Sequence, residues 1–362
     1  MRNFEIYKKR HLAFWNRSES GLPLTGFTVG AGTDSWSYWQ YNRAAQTLFQ
    51  KKTIIPGDID PAGFVDDQRR YLERSAEIED DVCRTAIPFA SIPWMEAILG
   101  CPIHSSGTSL KSKEIFDDPA SLNPVQFDPA NPWIQKYLQF IDIYSQAFGD
   151  LYPVGQSVIR GPSDLACALL GAENATMALV SEPEAMRELL GYVKDWLEKF
   201  LRLQLERLPM FQDGYVVGQY EIWAPRPVVR IQEDFSVLYS PQLYDEFLRP
   251  LDERLAAVAP YSLMHIHASS LFLIENFLSV STIKAFQVSK DAGTDSIAAM
   301  LPGLQKIQQA QRPLIVKGAF DDHDLQLIRE NLSATGLCLQ PVVSNVDEAM
   351  QMLPRIRTLW GA

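Results

Sequence analysis

Residues 313–343 read PLIVKGAFDDHDLQLIRENLSATGLCLQPVV. PLIVKGAF is a short apolar run rich in β-branched residues, as a strand requires. Asp321 or Asp322 then serves as an N-cap, and the helix HDLQLIRENLSA follows. GLCLQPVV is a second strand. A strand, a helix and a strand in this order put the two strands parallel, because only a crossover can return the chain to the same sheet edge.

The alternation extends in both directions. Downstream, NVDEAMQMLPRIRTLW is the last helix. Upstream, IKAFQVSKD is a strand before SIAAMLPGLQKIQQAQ, a helix interrupted by Pro302. YSLMHIHAS is a strand before the helix LFLIENFLSV, and GYVVGQYEIW a strand before SPQLYDEFLRPLDERLAAVA, which Ser240 caps and Pro241 opens. Further up lies the long amphipathic helix 181–208, with Ser181 as cap, Pro183 in its first turn and Glu184 at the capping-box position. SDLACALLG is a helix from a Ser163 cap to Gly171, YPVGQSVIRGP a strand and PANPWIQKYLQFIDIYSQAFG a helix. VCRTAIPFASIP reads as a strand with its loop, and WMEAILGCPI as a short helix ending at Gly100. Eight β/α units fit this length, so the expected fold class is α/β, a closed (β/α)8 TIM barrel. A doubly wound sheet is disfavoured, since no G-x-G-x-x-G follows an early strand. No linker marks a boundary, so residues 1–362 read as a single domain. Its first 80 or so residues form a helical and aromatic N-terminal extension, in which GFTVGAGTDSWSYWQY brings Trp36, Tyr38, Trp39 and Tyr41 to a cavity or to a packed cap.

With 46% hydrophobic residues the chain can bury a large core, and a net charge of −11 disfavours nucleic acid or an anionic membrane as partner. Cys83, Cys101, Cys167 and Cys338 form no C-x-x-C pair. They read as reduced thiols of a cytoplasmic protein, and the charged N-terminus has no apolar signal-peptide core.

Two of the five histidines, His265 and His267, lie two apart in SLMHIHASSLF. On a strand, i and i+2 share a face, so both rings point the same way. They are a metal-binding pair, a proton-transfer pair or a structural hydrogen-bonding pair. Tyr220, Glu221 and Trp223 close GQYEIW, and Asp234 follows in QEDFS. A carboxylate there can ligate a metal, orient a histidine or donate a proton. Arg160, in VIRGP, can clamp a substrate carboxylate. Catalytic candidates are therefore Asp234, Glu221 and Arg160. Substrate-binding candidates are Arg160, Trp36, Tyr220 and Trp223. Lys317 and Asp291 are weaker candidates at strand ends.

Several segments, in order, resemble the uroporphyrinogen decarboxylase superfamily. They are RGPSDLACALLGAENATMALVSEPEAMRELLGYV, QEDFSVLYSPQLYDEFLRPLDERL, the His-bearing strand MHIHAS and VKGAF, together covering roughly residues 85–355. The arginine-rich N-terminal stretch of the true decarboxylases is missing. The resemblance therefore implies the other branch, zinc-dependent methyltransferases that work with corrinoid proteins. That branch carries His-x-Cys on one strand and a Cys near the last. Here the matching positions are His265-x-His267 and Cys338, the expected zinc ligands. Asp321-x-His323 lacks the glycine of a corrinoid motif, Gln326 standing there, so a corrinoid would come on a separate partner. The implied activity is methyl transfer between a small molecule and a thiol or that partner, in a chain that forms a homodimer as the superfamily often does. The alternatives are a cofactor-free decarboxylase of the porphyrin-pathway type and a non-catalytic ligand-binding barrel.

Overall fold

The computed structural model describes residues 4–19, 21–30, 42–149, 151–291 and 296–361. Its centre is a parallel sheet. Strands β1 (Leu24–Thr25), β2 (Thr28–Val29), β3 (Val228–Gln232), β4 (Tyr261–His267), β5 (Ala285–Ser289), β6 (Leu314–Gly318) and β7 (Leu337–Val343) form it. The hydrogen-bonded order is β1-β7-β6-β5-β4-β3, with β2 also on β7. Every pairing within this sheet is parallel, as the strand–helix–strand reading requires. The helices Ile297–Gln309, Asp322–Asn331 and Val346–Leu359 follow β5, β6 and β7 in turn. This mixed α/β architecture is consistent with a TIM-like barrel. Between β3 and β1 the continuous ladder stops. There, an isolated parallel bridge joins Ala86 to Val154, and the Gln156 amide exchanges hydrogen bonds with the Arg230 backbone, at 2.8 and 3.1 Å. Among the described residues, no helix is long and apolar enough to cross a membrane.

The period-2 alternation sorts the two faces of the sheet. Met264, Ile266, Phe286, Val288, Leu314, Val316, Leu337 and Leu339 join the helix-packed core. Leu263, Ala285, Ile315 and Cys338 belong to a second buried cluster, together with Val228, Leu24 and Trp15. Along that second face the strand starts are apolar and the strand ends polar. Arg230 and Gln232 continue from Val228, His265 and His267 from Leu263, Gln287 and Ser289 from Ala285, Lys317 from Ile315, and Gln340 from Cys338. The ladder aligns His267, Ser289, Lys317 and Gln340 at one height.

VCRTAIPFASIP and YPVGQSVIRGP, expected as strands, contribute only the Ala86–Val154 bridge, and three further expectations change. GYVVGQYEIW is a hairpin rather than one strand, Tyr215–Val217 pairing antiparallel with Ile222–Ala224. Gly218 explains the turn: a side chain there would place its Cβ 2.1 Å from the Gln156 carbonyl oxygen, so the backbone passes in tight contact. The sheet strand in this region is VVRIQ, disguised by the charge of its central Arg230. Second, the helix expected from a Ser163 cap is capped two residues earlier, at Gly161, with Pro162 as its first residue, and a further helix, Ala172–Ser181, fills the space before the long one. Ser181 ends that further helix, its hydroxyl donating to Met177 O, and Glu182 takes the cap position of helix Pro183–Arg207. Third, Pro302 sits inside helix Ile297–Gln309 without ending it. Asp321 caps its helix as expected, and its side chain accepts from Asp324 N.

Behind β3, Glu233 and Asp252 are fully buried. Glu233 accepts from Ser163 N at 2.9 Å, and Asp252 from the Tyr244 hydroxyl at 2.7 Å. Burial pushes both carboxyls up, Asp252 to about 7, against the opposing hydrogen bonds from Tyr244 and Glu233. A carboxyl with a raised folded-state pKa contributes stability that is full below the unfolded value, about 4. That stability is lost as pH climbs through the folded value. Asp252→Asn, which mimics the protonated acid, is therefore expected to melt close to the wild type at pH 4 and several degrees above it at pH 8. Equal destabilisation at both pH values, in paired thermal melts, would contradict this account.

Candidate metal centre

Asp234, His265 and His267 come from two segments that fold for separate reasons. His265 and His267 end β4, whose apolar start is locked between β3 and β5. Asp234 opens the turn after β3. That turn is fixed by Asp164, which accepts from Gln232 Nε2 at 3.0 Å and from Phe235 N at 2.8 Å. Gly161 allows the helix carrying Asp164 to approach, because a Cβ there would lie 1.7 Å from Gln232 O. The neighbouring acids part ways: Glu233 turns into the protein toward Ser163, and Asp234 turns to the histidines.

The three donors converge. His265 Nε2 lies 3.3 Å from His267 Nε2 and 3.5 Å from Asp234 Oδ1, and His267 Nε2 lies 3.7 Å from the same oxygen. Asp234 Oδ1 is buried without a hydrogen-bond partner among the described residues. Its other oxygen accepts from Gln232 Nε2 at 2.8 Å. Each imidazole is held at its far nitrogen. His267 Nδ1 meets Asp291 Oδ1 at 2.7 Å, and His265 Nδ1 meets Gln287 Oε1 and, at 3.0 Å, the Tyr220 hydroxyl. An N–H donated from Nδ1 to Asp291 or Gln287 leaves the Nε2 lone pair facing the centre.

Charge is balanced unevenly. Burial lowers His265 to about 3, with Arg230 and His267 adding to the effect against Asp234, so this ring is neutral. Burial also acts on His267, but Asp234 and Asp291 outweigh it and raise the ring to about 10. Burial opposes ionisation of Asp234, and the two histidines and Arg230 overcome it, holding the carboxyl below its usual range. A proton on His267 Nε2 and a divalent cation are thus alternatives at one point. Two imidazoles and one carboxylate suit zinc or another borderline divalent ion with open positions.

The remaining candidates fall elsewhere. Cys338 faces the same interior but sits among Leu24, Leu263, Ala285 and Ile315 at the apolar end, fully buried, its thiol pushed up by burial. It is one strand step below Gln340, and Asp234 stands as third donor where Cys338 was expected. Glu221 is committed to Arg84 NH1 at 2.7 Å and Thr85 N at 3.1 Å, with Asp80 pairing the same guanidinium. Its backbone is left-handed, φ 57°, which turns Tyr220 and Glu221 to different partners. Trp223 packs against the N-terminal helix Phe4–Asn16, where its amide donates to His11 Nδ1 at 2.8 Å and its carbonyl accepts from Trp15 Nε1 at 2.9 Å. Arg160 is half-exposed at the rim, paired with Glu96 at 3.0 Å. Trp36 lies outside the described residues. Sequence reasoning missed Gln232, Gln287 and Arg230. Their signal is the polar residue two positions beyond an inward apolar one at a strand end.

No protein-family model matches the chain, and no curated protein sequence matches it. Among solved structures, the fold is similar to that of a methyltransferase from Methanosarcina mazei, 12% identical, with a TM-score of 0.66 over 98% of this chain and 99% of that chain. Likeness at this identity speaks for the fold, and it spans essentially the whole of both chains.

Proposed function

We propose that this chain is a (β/α)8 barrel enzyme that moves a methyl group between a small substrate and a thiol, or a corrinoid on a separate partner protein. In this reading Asp234, His265 and His267 hold the zinc ion it uses. The observation that carries the proposal is the triangle of donor atoms with edges of 3.3, 3.5 and 3.7 Å. Tetrahedral zinc with nitrogen and oxygen ligands at about 2.0–2.2 Å needs edges of about 3.3–3.6 Å. The orphaned Asp234 Oδ1 fits the same assignment. The methyltransferase-like fold and the resemblance to the zinc-dependent branch support the reaction class.

Bound there, zinc supplies a Lewis acid that lowers the pKa of a thiol entering its open position. The protein's own groups do the rest. Asp291 and Gln287 fix the tautomers of the two rings, Gln232 orients Asp234, and Arg230 adds to the histidines' effect in keeping that carboxylate ionised. With two neutral ligands and one anion, the site neutralises less of the ion's charge than a thiolate-rich set. That favours polarisation of an incoming group.

Methyl transfer from methylcobalamin to a small thiol, followed by the corrinoid spectrum, is expected to stop on chelation and to return with zinc. Asp234→Ala is expected to abolish it. A chelator-insensitive rate, or none with any thiol, would contradict the proposal. Asp291→Ala removes only the brace on His267, so zinc affinity is expected to fall by about 10–100-fold in competition with a chromophoric chelator. Unchanged affinity would show that Asp291 plays no part.

A further inference from the structure

A second feature is linked to the donor cluster through Gln340 and Tyr220 and is not used by it. A cavity of about 60 Å³ opens beside Gln340, walled by Phe27, Phe64, Phe89 and Tyr144. Four amide side chains, Asn42, Gln68, Gln219 and Gln340, line it, and Gln68 and Gln340 each carry a buried atom without a partner among the described residues. These are Gln68 Nε2, a donor, and Gln340 Oε1, an acceptor. Gln68 is 7% exposed and Gln340 4%, so only an occupant of the cavity can serve either atom. Leaving such atoms unmade is costly, and in a native fold it calls for an occupant.

The charge around the cavity selects that occupant. Among the described residues, no Lys, Arg or His lines it. Glu221 is the one ionisable carboxylate among the described lining residues, and both its oxygens are engaged by Arg84 and Thr85. An anion would meet no cation in the wall and would face Glu221. A cation would find that carboxylate already matched by Arg84. An uncharged ligand bears neither cost. Since one water needs about 10–15 Å³ of such space, the cavity holds a handful of heavy atoms.

We propose that this cavity binds a small uncharged molecule that offers a hydrogen-bond acceptor to Gln68 Nε2 and a donor to Gln340 Oε1, as an amide does, with its apolar part against the phenyl rings. The cavity adjoins the donor cluster through two residues. Gln340 Nε2 donates to Tyr220 O at 2.6 Å, and the Tyr220 hydroxyl meets His265 Nδ1 at 3.0 Å. Binding here does not depend on a metal.

The test therefore uses full-length, chelator-treated protein and three matched probes, propionamide, propionate and propylammonium, in NMR titrations. Propionamide is expected to saturate and to bind at least ten-fold more tightly than either ion. Gln68→Leu is expected to weaken it by about five-fold, the effect of one hydrogen bond. Gln340→Leu also releases Tyr220, so Gln68→Leu carries the decision, and Gln68→Met replaces it if the leucine variant does not fold. Absence of saturation, equal or tighter binding of either ion, or full affinity in the Gln68 variant would overturn the proposal.

Discussion

Two imidazoles and a carboxylate do not stand 3.3–3.7 Å apart, at the polar ends of the parallel strands, without positive charge among them. Much around that point follows from this constraint. Asp291 and Gln287 take the far nitrogens, Gln232 takes the spare carboxylate oxygen, and Asp164 fixes the turn that delivers Asp234. These supports lie at the polar strand ends, beyond the apolar layer of Leu263, Ala285 and Ile315. They are the kind of outer groups that keep donors aimed at one point.

The interior is graded along the strands. Leu263, Ala285, Ile315 and Cys338 fill the strand starts, and histidines, amides and Lys317 occupy the ends. In parallel α/β barrels such a gradient separates the stabilising end from the reactive end. It also assigns Cys338. On the right face but in the wrong layer, a thiol there is a small core residue.

The parallel strands from Tyr261 onward were legible because each is short, apolar and followed by a helix, capped by Ser296, Asp321 and Asn345 after the last three. The pair His265 and His267 was legible from spacing alone. What hid was whatever depended on the third dimension. VVRIQ is a central strand whose middle residue is an arginine, and GYVVGQYEIW alternates like a strand until Gly218 meets the 155–156 backbone. The choice of Asp234 over Cys338 as third donor is a matter of strand-end height, set by register and by a five-residue turn. Glu221 and Trp223 looked equally suited by sequence. They are occupied by Arg84 and His11, partners more than a hundred residues away.

The most direct test of the metal assignment is anomalous diffraction, at the zinc edge, from crystals grown after purification without chelator. The account predicts a single strong peak bounded by His265 Nε2, His267 Nε2 and Asp234 Oδ1, and none near Cys338. An empty centre with the two rings still in contact, or a peak at any other set of residues, would contradict it.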